Sequence, residues 1–85
     1  MEYIIIKDVT AVKSLTANQW TWMSVPSTTV PTGYKKILQF VNSIAGSTDT
    51  SQIICGVGTS GARCLSWITQ TVTMHVTWVF IKIKE

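Results

Sequence analysis

Residues 71–84, TVTMHVTWVFIKIK, constrain this chain more than any other stretch. Val72, Met74, Val76, Trp78 and Phe80 alternate with Thr71, Thr73, His75 and Thr77. A period of two, rich in β-branched and aromatic residues, predicts a strand with one buried face. From Val79 the second face turns apolar as well, through Ile81 and Ile83. Half of that face is suited to water, and the rest needs a further surface to cover it.

Further short strands are expected before it. Residues 2–7 (EYIIIK) are apolar on both faces; Asp8 interrupts the pattern, and residues 9–15 form a second strand or a continuation past a bulge. Residues 16–18 are a turn. In residues 19–25 (QWTWMSV), Trp20 and Trp22 share one side and Met23 and Val25 the other. The tryptophans are assigned to the core, with Trp78, because a small sandwich needs large side chains to fill it. Two prolines and a glycine make residues 26–33 a loop. Residues 34–41 form a strand and residues 42–51 a polar loop. No segment shows helix caps with a 3.6-residue period.

The hairpin at residues 52–69 has a legible register. If Thr59 and Ser60 form a two-residue loop, Val57 faces Ala62, Gly56 faces Arg63 and Cys55 faces Cys64. One face, with Ile53, Cys55, Val57, Ala62, Cys64, Ser66 and Ile68, is core. The other carries Gln52, Ile54, Arg63, Leu65 and Trp67, too apolar a group for idle solvent surface. Residues 69–71 must turn the chain into the last strand without glycine or proline. Short strands with turns every eight to twelve residues predict an all-β fold: a small antiparallel, jelly-roll-like β-sandwich of about seven strands, without significant helix, as one domain.

Composition bears on surface and function. The chain has 85 residues, of which 46% are hydrophobic and 13% charged, too little charge to coat a lone small domain. Self-association is therefore expected, with Ile54, Leu65, Val79, Ile81, Ile83 and His75 as interface candidates; His75 could stack with its symmetry mates around an axis. Seven basic residues outnumber four acidic ones but are scattered, so no basic patch for nucleic acid results. No apolar run is long enough to span a membrane, and no signal peptide is visible.

Signs of catalysis are absent. One histidine and four carboxylates leave almost no material for a triad or an acid pair, and no Asp lies near Ser66 or His75 in sequence. GVGTSG has glycines like a phosphate loop but no following helix to hold the anion. Cys55 and Cys64 fall at a non-hydrogen-bonded pair and are expected as free core thiols; without other soft ligands they make no zinc site. No cofactor is expected. The ligand-binding candidates are Trp67, Arg63 and Gln52 on the hairpin, with Thr28, Thr29 and Asn42 in the loops. Trp67 suits an interface hot spot, so that its loss disrupts assembly, or a sugar-stacking platform.

Lys13-Ser14, Asn18, Trp20, Pro31, Gly33, Tyr34 and Val76 through Ile81, in that order across nearly the whole chain, resemble the C-terminal β-sandwich domains of phage tail-fibre and receptor-binding proteins, especially from phages and prophages of Gram-positive bacteria. The resemblance implies a homotrimeric jelly-roll head at a fibre tip, in the virion, touching host glycan or protein. It carries over no binding residue. The chain lacks the shaft that precedes such heads, so an excised head or an independent small phage protein is expected. Two other functions fit the composition: a decoration protein without external ligand, and a phage effector binding nucleic acid or a nucleotide.

Overall fold

The computed structural model describes residues 3–83. Glu2 and Lys84, expected at strand ends, lie outside them. Six strands form two three-stranded antiparallel sheets: β1 (Ile4–Leu15), β2 (Thr21–Ser24), β3 (Tyr34–Gly46), β4 (Ile53–Val57), β5 (Gly61–Ser66) and β6 (Gln70–Lys82). A single 3-10 turn, Thr50–Gln52, precedes β4. The large sheet has the order β1-β6-β3 and the small sheet β2-β5-β4.

This order follows from rolling one antiparallel ribbon. β1 pairs with β6 and β2 with β5, and the ribbon bends between them so that its two halves lie in different sheets. β3 then adds to β6, and β4 to β5. Four of the five connections thus change sheets. The expected all-β, jelly-roll-like sandwich is present in a short form.

β6 is the spine. Val72, Met74, Val76, Trp78 and Phe80 are almost fully buried, while the alternate residues are only partly covered. Burial of each such large side chain stabilises by about 1.5–3 kcal/mol. From the small sheet, Met23, Ala62 and Cys64 close the core. The 13-residue strands are about 44 Å long, against about 17 Å for β4. The small sheet therefore covers only part of the large one. Residues 25–33 contribute Val25 to the core cluster and place Thr28 against Lys36 and Gln39 of β3.

Val57, expected in the core, is 56% exposed, because it ends edge strand β4 at the hairpin tip. Two segments also depart from the sequence reading. Asp8 does not interrupt β1, whose ladder with β6 is unbroken from Ile4 to Leu15. It lies on the solvent face of the sheet, where a carboxylate costs little. Asn42 is not a loop residue, because β3 continues to Gly46. Its register with β6 shifts between Lys36 and Leu38 and again between Val41 and Ser43, each time by one extra residue, Ile37 and then Asn42. A bulge of this kind admits a residue that the alternation would reject.

The turn into β6 is held by side chains instead of glycine. Ser66 Oγ donates to the Ile68 carbonyl at 2.6 Å and accepts from its N–H at 3.2 Å. Ala17 N–H donates to Thr69 Oγ1 at 3.1 Å.

Candidate functional site

The site lies on the outward face of the small sheet. In β5, Ala62, Cys64 and Ser66 point inward and are fully buried, so Arg63 and Leu65 point away from the core. Pairing places Trp22 opposite Arg63, and Ile54 opposite Leu65. Trp20, just before β2, lies against Arg63, with the guanidinium carbon 4.9 Å from the ring centroid in a cation–π contact. Trp22 Nε1 donates to Ser24 Oγ at 2.8 Å, fixing the indole. Trp67 follows β5, and its N–H donates to the Gln52 carbonyl at 2.9 Å. Among the described residues no carboxylate pairs with Arg63.

Trp20, Trp22 and Trp67 are 48%, 47% and 48% exposed, so three of the four tryptophans stand in solvent. This corrects the assignment of Trp20 and Trp22 to the core; Trp78 alone of that group is buried. Met23 takes the inward position of β2 instead. Sheets stack about 10 Å apart, and Met74, Trp78 and Phe80 already project into that gap from β6. Two further indoles opposite them would overfill it.

The other ligand candidates do not join this face. Thr28 Oγ1 accepts from Lys36 Nζ at 3.0 Å and donates to Gln39 Oε1 at 3.2 Å, so its hydroxyl is already occupied. Gln39 Nε2 in turn donates to the Thr59 carbonyl at the hairpin tip, at 2.8 Å. Trp67 stands at the other end of β5, eight residues and on the order of 25 Å of extended chain from Thr59. Thr29 is exposed in the loop. Asn42 Nδ2 donates to Thr77 Oγ1 at 3.2 Å on the outward face of the large sheet.

The interface candidates likewise divide between two surfaces. Ile54 and Leu65 belong to the tryptophan face. Val79, Ile81 and His75 belong to the opposite side of the sandwich, the outward face of the large sheet, and Ile83 is exposed just past its end. There Ile4 and Ile6 of β1 flank Ile81 and Val79, with Leu38 and Phe40 of β3 on the other side. All four flanking residues are at least 41% exposed, and together they form an apolar block three strands wide.

Next to that block, Asp8 Oδ2 lies 3.5 Å from His75 Nδ1. Sequence reasoning missed this pair because the two residues are 67 positions apart and meet diagonally across β1 and β6. Ser43 is the Cα partner of His75 from β3. No hydrogen bond joins Ser43 to His75 among the described residues, and Asp8, His75 and Ser43 sit on the outward face of the large sheet. The described residues enclose no pocket, and no group of three or more His, Cys, Asp or Glu among them is placed to hold a metal ion. No helix among the described residues is long and apolar enough to cross a membrane. Comparison with family models, curated proteins and solved structures found no match.

Proposed function

We propose that this chain is a non-catalytic binding and assembly module of the phage tail-fibre or receptor-binding type, which self-associates as a homotrimer and presents a tryptophan face to host surface glycan. The observation that carries the reading is the outward face of the small sheet, where Arg63 lies against the half-exposed Trp20 and opposite the half-exposed Trp22, with a third half-exposed indole, Trp67, just past the end of β5. Exposed aromatic area of this size is costly unless something covers it. Flat indoles fit the apolar faces of sugar rings, while the Arg63 guanidinium and the Gln52 amide supply hydrogen bonds to hydroxyls.

Self-association is assigned to the opposite side. Three strands of about 13 residues present roughly 600 Å². Three such faces turned towards a common axis would bury roughly 1,800 Å² in all, shared among the three contacts of a trimer. Second copies of the chain are the occupants proposed there. Three identical weak glycan sites on one assembly would then bind by avidity.

Binding of the purified protein to intact Gram-positive cells and to their cell-wall polysaccharide tests the glycan reading. Trp67→Ala or Trp20→Ala should weaken binding by about tenfold or more, as for loss of an interface hot spot, with the melting temperature unchanged. Equal binding by wild type and variants would overturn it. Preferential binding of single-stranded DNA that falls steeply with salt would assign the face to nucleic acid instead.

A further inference from the structure

The cysteine pair lies outside the function proposed above and points to a modification site. Cys55 of edge strand β4 and Cys64 of central strand β5 are Cα partners. Gly58 N–H donates to the Gly61 carbonyl, and Trp67 N–H to the Gln52 carbonyl, so both of those rungs are hydrogen-bonded pairs. Strict alternation between them makes Cys55–Cys64 a non-hydrogen-bonded rung, where Cα atoms approach to about 4.5 Å and side chains come closest. That spacing lies within the range a disulfide spans, near its short end. Both cysteines are free thiols, with Sγ atoms 2.7 Å apart. The covalent distance is about 2.05 Å, so little movement separates the dithiol from a bond.

We propose that Cys55 and Cys64 form a dithiol that a hydroperoxide oxidises to a cross-strand disulfide, stapling β4 to β5 beneath the tryptophan face. The two thiols have different roles. Cys64 is fully buried in the core, whereas Cys55 is partly exposed on the sheet edge. Burial, followed by the hydrogen bond and charge of Cys55, pushes the Cys64 thiol up to about 12. Cys64 therefore keeps its proton, and Cys55 meets the oxidant.

The Cys55 sulfur attacks one peroxide oxygen and breaks the O–O bond. It becomes a sulfenic acid as the peroxide is reduced to an alcohol, or to water for hydrogen peroxide. The Cys64 sulfur then attacks the Cys55 sulfur; the hydroxyl departs with the Cys64 proton as water. Two electrons leave the two sulfurs and reduce one O–O bond. Oxidation closes a loop of about ten residues and locks the register that places Arg63 and Leu65 outward.

Reduced, desalted protein is titrated with hydrogen peroxide, acid-quenched, treated with N-ethylmaleimide and weighed intact. The expected product is a single chain about 2 Da lighter that takes up no maleimide. Its melting temperature should rise on the order of 5–15 °C, and dithiothreitol should reverse both changes. Cys55→Ala should show neither. The proposal is overturned by a chain-to-chain disulfide or by oxygen adducts of about 16 or 32 Da without mass loss. Inertness of the folded protein under conditions that oxidise the urea-unfolded chain overturns it equally. Wild-type mass alone decides between these outcomes, whether or not the variant folds.

Discussion

Gln70 opens β6 almost fully buried, and its amide makes four hydrogen bonds across two connections. Oε1 accepts from Thr48 N–H at 3.1 Å and Asp49 N–H at 3.0 Å; Nε2 donates to the Asp49 carbonyl at 2.9 Å and to Ser66 Oγ at 3.0 Å. It thereby ties the β3–β4 connection to the turn that starts β6. Gly46 leaves the space for it, since a Cβ there would collide with the Gln70 side chain. Gln70→Leu keeps the bulk but orphans the two N–H groups. Each unpaired buried group costs about 1–3 kcal/mol; with Thr48 and Asp49 exposed enough for water to replace part of the loss, urea unfolding should show about 2 kcal/mol of destabilisation. A change under about 0.5 kcal/mol would mean that water satisfies both donors. Nothing local marked this glutamine as a core residue. In sequence it reads as one polar residue of a connecting turn, and its partners lie about twenty positions upstream or four back.

At the scale of elements, the bulges of β3 make an unusual deletion tolerable. Lys36 pairs with Phe80, and Leu38 with Val79. Deleting Ile37, which is half exposed, leaves both pairings and both faces in place and only straightens the strand. The fold should survive with a loss of about 1–2 kcal/mol, within the ordinary range of single changes. Deleting Thr77 from β6 instead shifts one side of the spine by one residue and turns buried positions outward. That protein should fail to fold. Circular dichroism and thermal melting of the two deletions check this, and equal damage would show that the bulges are required. The β4–β5 hairpin has its expected register at every pair from Ile53–Ser66 to Val57–Ala62. It was legible because a short loop with flanking glycines links neighbours in sequence to neighbours in space. The bulges were not, since an extra residue shows only against its partner strand.

The whole molecule is long and thin, 50 × 18 × 15 Å, with a radius of gyration of 15.1 Å. A compact domain of this length has about 12 Å. The shape follows from two long strands paired to a third and only partly covered, and it leaves apolar surface on both sides of the sandwich. Self-association through the large sheet's outward face has a direct test. Val79→Lys places a charge at the centre of the apolar block, opposite Ile6 and Leu38. Wild-type protein should give a trimer mass by light scattering after size exclusion, and the variant should weaken association by at least about tenfold, since one uncompensated charge at an interface costs more than 1.4 kcal/mol. A monomeric wild type would remove this part of the proposal, and an unaffected trimer would move its interface elsewhere.

The sequence by itself determined what depends on near neighbours. Its period of two set the strands, marked the buried stripe of β6 and the apolar half of that strand's other face, and paired Cys55 with Cys64 across the hairpin. Alternation, however, says which residues share a face and not which face turns inward. Only the tertiary structure put Met23 inside β2 and left Trp20 and Trp22 outside, because the gap between sheets was already filled from β6. It also decided that Ile54 and Leu65 lie on the opposite side of the sandwich from Val79 and Ile81, and that Asp8 meets His75. Such relations join residues tens of positions apart through strand pairing. No local pattern encodes them. The last strand was readable alone, and what covers each of its faces became definite only when the chain rolled around it.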